Sequence, residues 1–397
     1  MSRGRVLGGC AWFLGALALL QTLYLRAVPP TPRPPPRRAP RGVLDASGAF
    51  RVFRDVLGAP PGWARAPRPE LVLATHGSPG RAAAALGGSW GGPLALAVFG
   101  VPREGLEELL AILGGPCRSL RSRLRLHVVL GAAGPPPKIP EAPRAPRSAG
   151  GCRGALARLA AADPPSYSLG VPYPGNLLRN VAWEGAAGGG PAGGPPPKFG
   201  ERFVLMVDAD VVPSPGLREG FLELLRDGGL DARLLFVLPA FEVRAGLRPP
   251  ASKPELLRLW GAGDARPFYG TLCPRCQAPT DFGRWRTLPP APRPRVAYEA
   301  PWRDPWEPFF VAPARGVPPF DERFLQYGFN RISQACELHV AGFRFAVLDG
   351  AFVTHRGFKE PGGFHGGREA ELGHNRRLFR GFREELRRRY PGSPRRC

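Results

Sequence analysis

Short apolar runs set off by Gly and Pro recur along the chain, and their spacing predicts an alternating α/β body. Segments 71–74 (LVLA) and 94–100 (LALAVFG) carry no polar face, as expected of strands covered on both sides. Within 103–113 the apolar positions fall at 106, 109, 110 and 113, a helical period. Segment 126–130 (LHVVL) reads as a third strand, and this strand–helix–strand order argues for parallel α/β structure. Further on, 176–185 predicts a helix, 203–207 (FVLMV) a buried strand, 216–226 a helix and 234–238 (LLFVL) another strand. In the last third, 328–340 predicts a helix, 343–348 and 352–355 predict strands, and 368–390 a basic terminal helix. The ordered body is expected to start near Glu70, and 134–147 and 187–199 read as Gly/Pro-rich loops.

The N-terminus follows another rule. Residues 6–25 contain one amide and no charge, enough apolar length to cross a bilayer as a helix. Arg3 and Arg5 precede it and favour a cytoplasmic N-terminus. A cleaved signal peptide is the alternative, but its apolar core is usually shorter and ends at small residues. An uncleaved signal-anchor is the preferred reading. Segment 28–41 (VPPTPRPPPRRAPR) has a proline density that forces extended backbone and builds no core. The expected layout is a cytoplasmic tail at 1–5, a transmembrane signal-anchor at 6–25, a Pro-rich luminal stem at 26–69 and a luminal catalytic domain at 70–397. That layout is a single-pass type II membrane protein of the secretory pathway.

Composition changes this picture in two ways. The chain has 397 residues and a formal charge of +23, and all but four of its 55 basic residues are Arg. The arginines are scattered from end to end rather than gathered with aromatics, which argues against a nucleic-acid face and leaves anionic small ligands as partners. Seven cysteines occur, six of them outside the apolar segment, which in an oxidising compartment implies disulfides of open connectivity. Cys273 and Cys276 lack the second Cys/His pair of a zinc site, so a local disulfide or two separate partners is expected. No Asn-x-Ser/Thr sequon is present.

The chemistry-bearing pattern is Asp208-Ala209-Asp210, directly after the apolar strand 203–207. In open α/β sheets ligands collect at the carboxyl edge of the strands. Two carboxylates one residue apart at that edge can reach a hard divalent cation, which neutralises a departing diphosphate. A solvated turn with an Asp capping a helix is the alternative. His355, at the end of segment 352–355, is the residue best placed to add a third ligand, although a lone His is more often structural. Asp321 and Glu322 form a second acidic pair before a predicted helix. One of them can serve as the base that deprotonates an acceptor hydroxyl, and helix-start charge explains the pair equally well.

Longer stretches carry a resemblance. Segments 169–186 (LGVPYPGNLLRNVAWEGA), 207–217 (VDADVVPSPGL), 273–285 (CPRCQAPTDFGRW) and 320–365 closely resemble glycosyltransferase family 49, Golgi glucuronyltransferases related to the second catalytic domain of the LARGE proteins. The ending 390–397 (YPGSPRRC) matches too. The resemblance implies a GT-A-type fold: a nucleotide-sugar-binding mixed sheet flanked by helices. It implies inverting transfer of glucuronic acid from UDP-glucuronate to a β-linked xylose through a β1,4 bond, with Mn²⁺ (or Mg²⁺) as cofactor. The product would prime the laminin-binding O-mannosyl glycan of α-dystroglycan, from the Golgi membrane and in company with LARGE-type transferases. It places Asp208 and Asp210 in the family's metal motif and His355 in its C-terminal VxHxGFKE-like stretch. β-1,3-N-acetylglucosaminyl transfer in poly-N-acetyllactosamine synthesis is an older assignment within the family. A non-catalytic lectin or chaperone of the same fold is the remaining alternative.

Two further sets of residues follow from the expected layout. Arg179 and Asn176, on the helix beside the Asp208 strand, are expected to contact the donor, with Asn180 as a buttress. Trp302 and Trp306 offer flat faces to an acceptor sugar, or else belong to the core.

Overall fold

The computed structural model describes residues 3–27, 42–60, 63, 69–133, 150–162, 171–188, 202–228, 231–363 and 366–397. The chain divides into two units, Met1–Ala39 and Pro40–Cys397. The first unit is described as one helix, α1 (Arg3–Ala27), over the segment for which a membrane span is expected. Among the described residues no helix is long and apolar enough to cross a membrane. The Pro-rich segment 28–41, segment 134–149 and the Gly-rich segment 189–201 lie outside the described residues.

The second unit is mixed α/β, built on one large sheet. Its strands in chain order are β1 (Val43–Leu44), β2 (Phe50–Phe53), β3 (Glu70–Gly77), β4 (Leu94–Phe99), β5 (Leu124–Gly131) and β6 (Arg202–Met206). β7 (Val211–Pro213), β8 (Leu234–Leu238), β9 (Ala240–Val243), β10 (Ala265–Pro267), β11 (Arg295–Ala300), β12 (Phe309–Pro313), β13 (Arg344–Asp349) and β14 (Val353–Arg356) follow. Ten of these form the sheet, in the order β1-β2-β5-β4-β3-β6-β12-β8-β13-β11. The remaining four pair as β10-β9-β14-β7.

The apolar runs form strands because both faces are covered. In β4, Leu94, Leu96 and Val98 point into one core and Ala95, Ala97 and Phe99 into the other. β3 and β6 alternate in the same way, and all three pair in parallel around β3. One face packs α2 (Pro79–Leu86), α3 (Arg103–Gly114), α4 (Gly151–Ala162) and α6 (Leu217–Asp227). The other packs α5 (Gly175–Ala186), whose Ala182 and Ala186 let it lie close on the small residues of β3 and β4. α7 (Lys253–Gly261) and α8 (Phe282–Thr287) close a third core around Trp285, which is fully buried. α9 (Asn330–Val340) and α10 (Arg368–Arg389) form a fourth, anchored by Glu337, which accepts from Arg389 at 2.6 Å and Tyr390 at 2.9 Å.

One sequence expectation needs correction. The sheet begins well before Glu70, because β2 pairs antiparallel with β5 and buries Phe50, Val52 and Phe53. Segment 42–60 therefore belongs to the body, not to a stem. The sheet is mixed, as the resemblance implies, with β12 running antiparallel between β6 and β8. The six cysteines outside α1 pair as Cys117–Cys152, Cys273–Cys276 and Cys336–Cys397, the middle one being the local bridge.

Candidate active site

The large sheet changes direction at β3. β4 and β5 extend to one side of it and β6 lies on the other, so connections leaving β3 and β6 diverge and open a crevice at their carboxyl ends. His76 lies at the end of β3, and Asp208 two residues beyond β6. The backbone then turns, with Val211 N–H donating to the Asp208 carbonyl at 2.9 Å. β7 begins at once and pairs with β14 in a register that sets His355 against Val211. Antiparallel pairing thus carries His355 across from a distant segment to Asp210, with Nε2 3.3 Å from Oδ2.

The tautomer of His355 follows from its other nitrogen. Nδ1 lies 2.8 Å from the Gly357 carbonyl, which can only accept, so Nδ1 carries the proton. Nε2 then points at an ionised carboxylate oxygen, a pair of groups that a shared cation would suit. Two carboxylates and an imidazole are donors that suit a divalent ion such as Mn²⁺. Among the described residues no group of three or more His, Cys, Asp or Glu side chains is gathered as a ready cage. The residues therefore fit a site anchored on Asp210 and His355 and completed by ligand oxygens and water.

Asp208 is held differently. Its Oδ1 accepts from Arg179 Nη2 at 2.8 Å and its Oδ2 from Arg331 Nη1 at 3.0 Å. Arg81 Nη1 donates to Asp210 Oδ2 at 2.9 Å. Arg331 and Arg81 sit in the first turns of α9 and α2 and Arg179 in the second turn of α5, near helix ends whose positive poles add to the field. Burial alone would raise the Asp208 carboxyl, but Arg331 and Arg179 hold it well below the usual carboxylate range. Burial acts the same way on Asp210 and is overcome by the hydrogen bond and charge of His355, with help from Lys359. Burial also pushes the His76 imidazole down, so it is neutral at pH 7. Its Nδ1 is 2.7 Å from the Tyr173 hydroxyl, while Nε2 faces Asp208 Oδ1 at 3.4 Å and makes no hydrogen bond.

A cleft of about 870 Å³ opens on this edge, within the usual size of a small-molecule site. Arg81, Arg179, Arg331 and Lys359 line its inner wall, and Arg368, Arg376, Arg380 and Arg383 of α10 its outer one. Tyr269, Gln326 and Phe329, which also line it, hold left-handed backbone (φ 56°, 59° and 62°). Such conformations persist only where surrounding structure enforces them.

The sequence-predicted residues divide. Asp208 and Arg179 line the cleft; Asp210 and His355 are not in its lining and meet it through Arg81. Asn176 does not face a donor. It is fully buried, donates to the Asp321 carbonyl at 2.8 Å and accepts from Arg179 at 3.2 Å, so it positions the arginine. Asn180 is the buttress expected, bonded to both backbone groups of Phe320. Asp321 and Glu322 do not line the cleft. Arg323 clamps the Asp321 carboxylate, and Glu322 accepts from Asn180 Nδ2 at 2.8 Å near Glu184 and Asp45. Trp306 is core, and Trp302 stacks on His339 with centroids 4.6 Å apart. The lining carboxylates are Asp208, Asp304, Glu307 and Glu371. His76 could have been found in the sequence, being a His-Gly step ending an apolar strand. Arg331 and Glu307 have no such local signal.

Comparison with known proteins places this geometry. A family model described as "Glycosyl-transferase for dystroglycan" matches residues 70–391. The chain is 44% identical over 369 residues to human beta-1,4-glucuronyltransferase 1, covering 90% of this chain and 83% of that protein. The zebrafish (Danio rerio) protein of the same name is 38% identical over 373 residues, with the same coverage of each chain. Human xylosyl- and glucuronyltransferase LARGE2 is 28% identical over 269 residues, which is 67% of this chain and 29% of that one. With the family match running from the first residue of β3 to just past the end of α10, the chain belongs to the dystroglycan glycosyltransferase family.

Proposed function

We propose that this chain is an inverting, metal-dependent glucuronyltransferase of GT-A type. It moves glucuronic acid from UDP-glucuronate to a β-linked xylose and forms a β1,4 bond. One observation carries the reading: two ionised carboxylates at the carboxyl edge of the sheet, Asp210 facing the His355 imidazole and Asp208 lining a cleft rich in guanidinium groups. Asp208, Asp210 and His355 would hold Mn²⁺, or Mg²⁺, which when bound neutralises charge on the departing UDP. Arg179 and Arg331 are within reach of the same charge, and a guanidinium can grip a uronate or phosphate through two hydrogen bonds. His76, neutral and backed by Tyr173, faces Asp208 without cancelling its charge.

The relatives' names supply the sugar and the linkage, and the family description supplies the carrier protein. On that basis the acceptor is a xylose-terminated O-mannosyl glycan of α-dystroglycan, primed for extension by LARGE-type transferases. The helix over 6–25 would anchor the enzyme in the Golgi membrane with its body luminal. The cationic lining favours UDP-glucuronate over UDP-N-acetylglucosamine, which has no carboxylate on the sugar. The test is a side-by-side assay of both donors with Mn²⁺ and a β-xyloside. Transfer from UDP-glucuronate at least tenfold faster is expected. Preference for the other donor would refute the donor assignment, and no turnover with either would favour a binding protein.

A further inference from the structure

The expected base pair, Asp321 and Glu322, stands off the cleft, yet inverting transfer needs a carboxylate facing the acceptor. We propose that Glu307 is the general base of the transfer reaction, an assignment that rests on the glycosyltransferase reading above. Three observations lead to it. First, its backbone is pinned: the N–H donates to the Cys276 carbonyl at 3.0 Å, and its own carbonyl accepts from Gln277 Nε2 at 3.0 Å. Trp306 before it and Phe309 after it are core residues. A side chain on such a rigid segment keeps its aim.

Second, the side chain enters the cleft, only 12% exposed, opposite the Asp208 edge. One guanidinium links the two carboxylates: Arg331 gives Nη1 to Asp208 Oδ2 at 3.0 Å and Nη2 toward Glu307 Oε2 at 3.5 Å. That guanidinium lies 4.1 Å from the centroid of the Phe309 ring, which holds it in place between the two carboxylates. A sugar lying over Arg331 in the cleft would have its leaving phosphate toward Asp208 and a carboxylate on its other side.

Third, the other lining carboxylates are worse placed. Asp304 is exposed, Glu371 accepts from the Tyr327 backbone N–H at 3.2 Å, and Asp208 stands on the leaving-group side. Burial raises the Glu307 carboxyl against the pull of Arg331, which makes it more basic than a surface carboxylate. Arg179, Asp208 and Tyr269 are the other charged or titratable groups around it.

In the step, the acceptor hydroxyl gives its proton to Glu307 and its oxygen bonds to the anomeric carbon. The bond from that carbon to the β-phosphate oxygen breaks, and UDP leaves with the electron pair. The test uses the full chain with Mn²⁺, UDP-glucuronate and a β-xyloside, measuring donor affinity by calorimetry and kcat by UDP release. Glu307→Gln is expected to bind donor within threefold of the parent, while kcat falls by about 10²–10⁴-fold. Glu307→Asp, which still carries a base, is expected to retain more activity than Glu307→Gln. A Glu307→Gln kcat within tenfold of the parent overturns the assignment, as does a Glu322→Gln variant that alone loses turnover. Parallel losses of donor affinity and kcat in both Glu307 variants also overturn it, because they mark a structural role. If the parent protein itself transfers no glucuronate, the glycosyltransferase reading fails and not this assignment alone.

Discussion

Asp208 and Asp210 are one residue apart, yet the structure predicts that neutralising them has unequal effects on stability. Asp208 accepts from Arg179 and Arg331, whose side chains are 10% and 13% exposed. Removing one partner from a fully buried ion pair costs about 3–5 kcal/mol. Asp208 is itself 30% exposed, Arg331 keeps Glu307 and Arg179 keeps Asn176, so about 2–3 kcal/mol is the reasoned loss for Asp208→Asn. Asp210 pairs with Arg81, which is 54% exposed, and faces His355 Nε2 only at 3.3 Å, so Asp210→Asn should cost about 0–1 kcal/mol. Unfolding entropy of about 2.1 cal/mol/K per residue across Pro40–Cys397 converts each kcal/mol into about 1.3 °C of Tm. Thermal scans in chelator at one fixed rate should therefore show Asp208→Asn about 3–4 °C below the parent and Asp210→Asn within about 1 °C. Both variants should lose metal-dependent transfer. An Asp208→Asn protein as stable as the parent in chelator would refute the view that Arg179 and Arg331 satisfy this carboxylate without a metal.

Three other outcomes follow from the packing. His127 is buried, accepts from the Asp55 N–H through Nδ1, and has its pKa pushed down to about 4 by burial. The unfolded chain binds a proton that the native ring refuses, so stability falls as pH drops from about 6.5 to about 4, by up to about 1.4 kcal/mol per unit. His127→Asn, which keeps an acceptor, should flatten that slope in denaturant titrations. Lys253 is buried against Asp349 at 2.8 Å and caps the Trp285 and Leu288 carbonyls, so Lys253→Met should cost about 3–5 kcal/mol in chemical unfolding. Cys397→Ser opens the bridge that ties the C-terminus to α9 and should lower stability by about 2–4 kcal/mol, read as a lower Tm.

What could be read from the sequence was what local pattern controls. LALAVF and FVLMV announce buried strands, and Asp208-Ala209-Asp210 after one of them announces the ligand edge. Elements set by partners were hidden. Phe50–Phe53 is a strand only because β5 offers an edge, and Phe309–Pro313 only because β6 and β8 flank it. The α7 helix carries a local start signal, Ser252 three residues before Glu255: the Ser252 side chain accepts from the Glu255 N–H, and the Glu255 carboxylate accepts from the Ala251 N–H. Around the site, His355 was legible from its strand-end position, but its approach to Asp210 depends on the β7–β14 register. Glu307 and Arg331 were not legible, because the contact that relates them spans 24 positions of chain. Asp321 looked functional by type and was excluded by Arg323, a neighbour two residues away.

The most direct test of the account is the rate of glucuronate transfer to a β-xyloside, first in Mn²⁺, then in excess chelator, then after Mn²⁺ is restored. The arrangement of Asp208, Asp210 and His355 predicts that transfer falls at least a hundredfold in chelator and returns with the metal. Undiminished transfer in chelator would contradict it.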